Sequence, residues 1–261
     1  MRFKSIASGS NGNCYYVEHE GAAFLIDLGI NKSQLARKCN DHGVPLHFLQ
    51  AILITHSHSD HVRGISAFCR KNPLPLYALP ETYQGIIANP TIHHKPDPTL
   101  CRNVTCGVPF EVAGMKVTAF HVPHDSRDNV GYFIEAGGTN LCLMTDVGEF
   151  TPEMETYIAK ADNLVVESNY DQHMLETGSY HFLLKRRILS GVGHSSNATT
   201  ASVLEQHLTL RTRRVFLCHL SGNNNTPELA YESTHQALRR AGLSPEIVVF
   251  SRLQPSLFFE L

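Results

Sequence analysis

The chain has 261 residues, of which 42% are hydrophobic and 18% charged, as in an ordinary globular protein. It has no apolar run of about 18 residues, so a membrane-spanning helix is not expected, and its first residues lack the apolar core of an export signal. Seven cysteines without a CxxC pair favour free thiols in the cytoplasm over a disulfide framework or a cysteine-based zinc site. The formal net charge of −2 gives no general attraction to nucleic acid, so such binding requires a local basic patch.

In the first part of the chain, short apolar segments alternate with segments of helical composition. A Gly/Ser/Asn loop at Ser8–Asn13 interrupts the first strands, and Gly43 and Pro45 end the first helix. The expected strands lie within Phe3–Leu28, with Phe24–Gly29 as the last of them, and at Ile52–Thr55 and Pro73–Ala78; the expected helices are Lys32–Cys39, His61–Arg70 and Thr82–Ala88.

From Phe110 onward the pattern changes to hairpins and then returns to alternating helices and strands. The expected strands are Phe110–Val112, Met115–Phe120, Val130–Glu135, Asn140–Thr145, Leu164–Glu167, Val215–Leu220, Ile247–Phe250 and Leu257–Leu261. The expected helices are Pro152–Ala161, Phe182–Leu189, Ala198–Leu208 and Pro227–Ala241. The elements form two blocks, roughly 1–120 and 121–261, without a linker between them. We therefore expect one α/β domain over residues 1–261, built from two packed sheets with helices outside.

One loop concentrates potential metal ligands. An apolar strand ends at Thr55, and three histidines and an aspartate follow within six positions in the pattern HxHxDH. His56 and His58 project to the same side if the backbone is still extended, whereas Asp60 and His61 lie beyond the bend and can reach a second ion. Ligand types at this spacing are typical of a metal site, and a polar surface loop with incidental histidines is the less favoured interpretation.

Three later strands also end in ligand-type residues. His121 and His124 follow one strand, Asp146 follows another before a glycine, and His219 ends a third. A rigid sheet holds ligands at its strand ends with the accuracy that metal geometry demands. His121 and His124 compete for one position, and His124 is preferred. The histidines without this context are interpreted as bystanders: His19, His42, His47, His93, His94, His173, His181, His207 and His235.

The pattern His56-x-His58-x-Asp60-His61, followed by His124, Asp146 and His219, resembles the metallo-β-lactamase superfamily over essentially the whole chain. The resemblance implies a four-layer αββα sandwich of two mixed β-sheets with helices on both outer faces. It also implies two divalent metal ions, with zinc as the expected metal and manganese or iron as alternatives.

The resemblance further assigns roles to the matching residues. It implies a first metal site of His56, His58 and His124, a second of Asp60, His61 and His219, and Asp146 as the bridge between them. Asp27 matches the superfamily's first motif, which supports the ligand loop without binding metal. His58 differs from the flavodiiron proteins, which place glutamate at that position, so oxygen redox chemistry is disfavoured.

Further stretches resemble the YycJ/WalJ group of nucleases within that superfamily. They are Ser8–Tyr15, His124-Asp125, Glu167–Asp171, Tyr180, Leu184–Ile188, Gly193–Asn197, His219–Asn225 and Pro227-Glu228. This resemblance implies a cytosolic 5′-exonuclease whose partner is nucleic acid, with DNA favoured over RNA. Glu167 and His194 also occupy places similar to a Glu–His pair of tRNase Z, where the pair is associated with protonation of the leaving group.

The main hypothesis is therefore a dinuclear metal-dependent phosphodiesterase. A hydroxide that bridges the two metals attacks the phosphodiester, Asp60 is counted among the catalytic residues, and His194, held by Glu167, protonates the departing oxygen. The alternative for the latter pair is a buried glutamate and a histidine that only stabilise a helix start.

The residues expected to contact the substrate come from three segments. They are Ser10 and Asn13 of the glycine-rich loop, Lys185 and Arg186 of the basic cluster Lys185–Arg187, and Asn224 after the ligand His219. The clusters Arg211–Arg214 and Arg239-Arg240 are interpreted as solvated surface. Hydrolysis of a thioester, a lactone or a cyclic nucleotide, RNA processing, and an inactive metal-stabilised scaffold are the alternative functions.

Overall fold

The computed structural model describes residues 1–92, 95–126, 128–189 and 193–261, so the predicted bystanders His93 and His94 lie outside the described residues. Within these residues the strands are β1 (Arg2–Ala7), β2 (Cys14–His19), β3 (Ala22–Ile26), β4 (Leu49–Leu53), β5 (Leu76–Ala78), β6 (Cys101–Asn103), β7 (Phe110–Val112), β8 (Met115–His121), β9 (Val130–Ala136), β10 (Thr139–Met144), β11 (Asn163–Glu167), β12 (Arg214–Cys218), β13 (Glu246–Val249) and β14 (Phe259–Glu260). The helices are α1 (Lys32–Asp41), α2 (Ser59–Val62), α3 (Ile65–Cys69), α4 (Pro80–Ala88), α5 (Pro152–Lys160), α6 (Gln172–Thr177), α7 (Phe182–Ile188), α8 (Asn197–His207) and α9 (Pro227–Arg240).

The strands form two seven-stranded mixed sheets. The first has the order β14-β1-β2-β3-β4-β5-β6 and the second the order β13-β12-β11-β10-β9-β8-β7. In the first sheet the pairs from β14 to β3 are antiparallel and those from β3 to β6 are parallel. In the second, the pairs from β7 to β10 are antiparallel and those from β10 to β13 are parallel.

Side-chain alternation along the strands creates the layers. In β3, Phe24 and Ile26 face the second sheet, whereas Leu25 packs under α1 and α3. In β10, Leu143 faces the first sheet, and Met144 packs under α5, α8 and α9. Strands buried on both faces explain the nearly continuous apolar runs in the sequence. The predicted four-layer αββα sandwich is confirmed.

The two sheets are joined by hydrogen bonds directly beneath the predicted ligand loop. The Tyr132 hydroxyl of β9 donates to the Ile54 carbonyl at 2.7 Å, and the Val130 amide donates to the Thr55 carbonyl at 3.1 Å. Because Ile54 and Thr55 follow β4 of the first sheet, these bonds fix the start of the loop against the second sheet.

Two predictions about the elements were wrong. The chain passes to the second sheet at β7 and not near residue 120, and β14 returns to the edge of the first sheet. The predicted helix His61–Arg70 is split into α2 and α3 at Gly64, although Arg63 and Gly64 keep right-handed helical angles. Gly64 packs so closely on the preceding loop that a β-carbon there would lie 2.1 Å from the Ile30 carbonyl oxygen.

None of the helices in the described part of the chain is long and apolar enough to cross a membrane.

Candidate metal centre

The ligand loop is held by a buried carboxylate at the end of the neighbouring strand. Asp27 follows β3 and accepts hydrogen bonds from the Thr55 amide at 2.8 Å and the Thr55 hydroxyl at 2.9 Å. Its second oxygen also accepts from His61 Nδ1 at 2.7 Å. The Asp60 carbonyl accepts from the Asn13 amide at 2.7 Å. The loop between β4 and α2 is therefore fixed by the carboxyl end of β3 and by the glycine-rich loop.

Three strand ends next to the centre adopt an unusual backbone conformation. Asp27, Asp146 and His219 have φ angles of 59°, 56° and 54°, in the left-handed region that residues with a β-carbon rarely occupy. The chain turns sharply at each of these positions, one or two residues after the ends of β3, β10 and β12. Such conformations persist where the surrounding structure enforces them and concentrate at functional sites.

The structure brings all seven predicted ligands together. Ligand atoms within 4.8 Å of one another form four overlapping groups among the described residues, namely His56–His58–His124, His56–His61–Asp146, Asp60–His61–His219 and Asp146–Glu167–His194–His219. Asp146 lies between the groups: its Oδ2 is 3.0 Å from His61 Nε2, and its Oδ1 is 3.7 Å from His124 Nε2. The first three groups bring together the residues of the two sets that the resemblance implies, and their division between two ions stays a prediction.

Four of the five predicted histidine ligands are oriented by the protein through Nδ1. The acceptors are Thr55 Oγ1 for His56 (3.0 Å), Asp27 for His61 (2.7 Å), the Gly193 carbonyl for His124 (2.7 Å) and Glu167 for His219 (2.8 Å). Each bond leaves Nε2 as the ring atom that faces the cluster. Orientation of a metal-binding histidine by a carboxylate, hydroxyl or carbonyl on its other nitrogen is the usual arrangement in metal sites.

Two of these Nε2 atoms test whether a metal fits. Within the described residues, His56 Nε2 and His219 Nε2 are buried and have no hydrogen-bond partner. Burial of a polar atom without a hydrogen-bond partner costs free energy unless a ligand binds to that atom. Imidazole nitrogens together with carboxylates suit zinc, manganese or iron. The residues present therefore fit two divalent cations.

The electrostatics of the cluster favour positive charge. Burial opposes ionisation of Asp146, but His219 and His61 outweigh it and hold the pKa of Asp146 well below its ordinary value. Burial likewise opposes protonation of His219, but Asp146, Asp60 and Glu167 outweigh it and raise the pKa of His219 to about 10. In the metal-free protein these carboxylates stabilise the protonated form of the histidines. A bound cation would replace those protons.

Glu167 and His194 lie beside the ligands. Glu167 is fully buried at the end of β11, and its Oε1 accepts from Nδ1 of both His194 and His219 at 2.8 Å. Its Oε2 accepts from the amides of Val147 and Ser195. Burial raises the pKa of Glu167, but the two histidines outweigh it and lower that pKa overall. Glu167 therefore links a predicted ligand to the predicted proton donor, a double contact that the sequence did not indicate.

The predicted choice between His121 and His124 is resolved by position. His121 is the exposed last residue of β8, whereas His124 lies in the first ligand group and its side chain is 2% exposed. The other predicted bystander histidines that the structure describes are absent from the ligand groups.

Only one of the five predicted substrate contacts lies in the cleft beside the centre. This cleft has a volume of about 150 Å³ and is lined by Ser10, Asp125, Asn169, Tyr180, Leu184, Arg187, Ile188, Gly193, His194, His219 and Ser221. Ser10 is therefore where the prediction placed it.

The other four predicted contacts have different surroundings. Asn13 is fully buried, and its side-chain amide lies 2.9 Å from His61 Nε2, so it lies beside the predicted ligands and away from the cleft. Asn224 is buried away from the cleft lining. Lys185 donates to the Glu176 carbonyl at 2.7 Å, and neither Lys185 nor Arg186 lines the cleft. These four residues therefore lie outside the lining of the cleft, and their contact with the substrate stays a prediction.

Sequence reasoning missed two residues of the centre. Arg187 lines the cleft and forms an ion pair with Asp125. Asp125 Oδ1 lies 3.0 Å from His124 Nε2 and 3.5 Å from His58 Nε2. The sequence did contain a signal for both residues, because Asp125 directly follows a predicted ligand and Arg187 belongs to a predicted basic cluster. Which basic residue of that cluster faces the cleft depends on the rotation of the helix about its axis.

Comparisons with known proteins agree with this fold. Residues 23–220 match the family described as "Beta-lactamase superfamily domain". The chain is 34% identical to exodeoxyribonuclease YycJ of Bacillus anthracis over 93% of this chain and 90% of that protein. It is 33% identical to exodeoxyribonuclease WalJ of Streptococcus pneumoniae with the same coverage.

Among solved structures, zinc-bound PqqB of Methylobacterium extorquens superposes with a TM-score of 0.73 at 19% identity and covers all of both chains. A likeness at this identity shows the shared fold. Together with the family match over residues 23–220, it establishes that the chain belongs to the β-lactamase superfamily and has the fold of its metallohydrolases.

Proposed function

We propose that this protein is a dinuclear metal-dependent exonuclease that degrades DNA from the 5′ end. The observation that carries the proposal is the convergence of the Nε2 atoms and carboxylates of two ligand sets on Asp146, next to the Glu167–His194 pair. Similarity to YycJ and WalJ over nine-tenths of their length supports nucleic acid as the substrate and DNA over RNA.

The ligands divide between two cations as the spacing indicates. His56, His58 and His124 would hold the first, Asp60, His61 and His219 the second, and Asp146 both. Zinc is the proposed metal, with manganese or iron as alternatives. When bound, such a pair supplies an activated water and neutralises negative charge on a phosphodiester. Asp60 is less buried than Asp146, with 21% of its side chain exposed against 3%.

His194 is proposed to protonate the leaving oxygen. Glu167 holds its Nδ1, so Nε2 remains for a group in the cleft that His194 lines. A histidine fixed in this way can deliver a proton along a defined direction, as general acid catalysis requires. Because Glu167 also holds His219, the same carboxylate sets the distance between the proton donor and the second metal set.

The cleft has the surface that a terminal nucleotide needs. Tyr180, Leu184 and Ile188 form an apolar wall against which a base can pack, and Ser10 and Asn169 present polar groups. Arg187, held by Asp125 at the mouth, adds positive charge near the phosphates. The seven free cysteines are consistent with the cytoplasm as the proposed location.

The proposal can be tested with end-labelled DNA. The metal-loaded protein should shorten DNA from a free 5′ end, should be blocked by a modified 5′ end, and should be slower on RNA and on thioesters, lactones or cyclic nucleotides. Asp60→Asn should abolish cleavage, whereas Asp41→Asn, which removes the same charge at the exposed end of α1, should not. Equal cleavage by Asp60→Asn, or faster turnover of a small ester than of DNA, would contradict the proposal.

A further inference from the structure

The positive charge of the chain is unevenly distributed. Residues 29–75 contain six Lys and Arg residues against two Asp residues, a formal charge of +4, although the whole chain carries −2. This segment includes the ligand loop, α1 and α3. A basic region next to a metal centre in an otherwise acidic protein creates a local attraction for a polyanion.

Three of the five arginines in the clusters Arg211–Arg214 and Arg239-Arg240 are paired, unlike several cations of this segment. In the second half, Arg211, Arg214 and Arg240 form ion pairs with Asp162, Glu246 and Glu205. Within the described part of the chain, no carboxylate pairs with the four residues we call the basic strip, which are Lys32, Arg63, Arg70 and Lys71. Their charge is therefore available to a partner.

The basic strip extends over the segment from α1 to α3. Arg63 and Arg70 are exposed and directly follow α2 and α3. Lys71 and Lys32 both line a groove of about 450 Å³ between α3 and α1. Partial burial and the nearby Lys71 and Arg70 lower the pKa of Lys32.

The basic strip begins at the metal centre. Arg63 lies two residues after the ligand His61, and the next amide, that of Gly64, donates to the Leu28 carbonyl at 2.8 Å. The contact fixes this part of the strip to the loop after β3, the same segment whose Asp27 holds His61. Arg63 therefore connects the basic strip to the segment that carries the ligand loop.

The basic strip lacks the features of a single-strand binding surface. Proteins that bind single strands usually stack bases on exposed aromatic side chains. None of the large apolar side chains in residues 29–75, all of which are described, is exposed; exposed aromatic residues occur instead at Phe182 and Tyr231. Exposed cations without stacking partners are suited to the regular phosphates of a duplex.

We propose that Lys32, Arg63, Arg70 and Lys71 bind the phosphate backbone of double-stranded DNA behind the end that enters the cleft. This assignment rests on the proposed function, because it takes DNA as the substrate. The strip positions the duplex through phosphates and reads no sequence.

The test measures binding and cleavage separately. Equilibrium binding of a labelled duplex to the full-length protein in chelator is measured across a salt series from about 50 to 200 mM. Arg70→Gln/Lys71→Gln should weaken binding and reduce the slope of log affinity against log salt by about 1.8, because each lost contact with B-DNA removes about 0.9. Arg213→Gln/Arg239→Gln, which removes two exposed charges of the second half, is the matched control and should leave the slope unchanged.

With metal restored, the strip variant should raise KM for duplex DNA and leave kcat unchanged. An unaltered salt slope, or an equal loss of affinity for single-stranded DNA or duplex RNA, would overturn the assignment to duplex DNA. If the slope changes as expected but no preparation cleaves DNA, the strip stands and the exonuclease proposal fails. Circular dichroism of both double variants checks that the exposed substitutions leave the fold intact.

Discussion

The two sheets share one topology but contribute to the metal centre in different ways. Each has three antiparallel pairs followed by three parallel pairs, so that β3 and β10 occupy the same place in the two halves. Each of these strands is followed by a buried aspartate with a left-handed backbone, Asp27 and Asp146. Asp27 lies beneath the ligand loop and holds His61, whereas Asp146 lies among the ligands themselves.

The two halves also deliver their ligands differently. The first half presents four on one loop, His56, His58, Asp60 and His61, with Asp27 as the buried support. The second half presents one ligand from each of three separate strand ends, with Glu167 as the buried support.

The pKa values of the two supporting carboxylates are shifted in opposite directions. Burial raises the pKa of Asp27, and its contacts with His61 and Thr55 only partly offset this effect. Two histidines outweigh the burial of Glu167 and lower its pKa. The comparison shows that Asp27 holds one ligand of the loop, whereas Glu167 joins a ligand, His219, to the predicted proton donor, His194.

The largest expected effect follows from the two topologically equivalent aspartates. Asp146→Ala removes the group common to both ligand sets and should lower kcat/KM by more than about 10³-fold, since metal ions supply several kcal/mol of transition-state stabilisation. Metal content, measured by elemental analysis, should fall well below two ions per chain. Full occupancy with unchanged activity would show that Asp146 is not the bridge.

Substitution of the proposed proton donor should have the next largest effect on activity. His194→Ala should lower kcat by about 10²- to 10⁴-fold while both metals remain bound. A phosphodiester with a p-nitrophenolate leaving group needs no proton, so its hydrolysis should be nearly unaffected by the substitution. An equal loss on both substrates would instead indicate a role in holding the centre together.

The two supports can be compared directly with isosteric substitutions. Glu167→Gln and Asp27→Asn should each weaken metal binding by about 10- to 100-fold, as is usual for groups that orient metal ligands. Only Glu167→Gln should also lower kcat at saturating metal, because it alone holds His194. Metal titrations with a competing chelator, followed by kcat measurements, distinguish the two; identical profiles would remove the proposed difference between the halves.

The smallest effect concerns the packing that fixes the first-half loop. Gly64→Ala places a β-carbon 2.1 Å from the Ile30 carbonyl oxygen, and the backbone there cannot move without shifting α2. The free energy of unfolding should fall by about 1–3 kcal/mol, as for other overpacked sites. Thermal unfolding should show a melting temperature several degrees lower. An unchanged melting temperature would mean that the contact is not rigid.

Much of the fold was contained in local sequence patterns. The strand ends carrying His124, Asp146 and His219 and the HxHxDH loop were identified in the sequence because apolar runs followed by ligand-type residues are local features. Resemblance supplied their grouping, and the structure then brought these atoms within reach of one another. The split of the helix at Gly64 escaped prediction because it depends on a contact with Ile30, a residue far away in sequence.

The sequence by itself determined which residues have ligand chemistry and that the chain alternates strands and helices, since both follow from residue type and spacing. Only the tertiary structure decided that Glu167 holds two histidines, that Asn13 contacts His61, and that Arg187 and not Lys185 faces the cleft. These relations join segments distant in sequence, and they depend on helix phase and on the packing of two sheets, which no local pattern records.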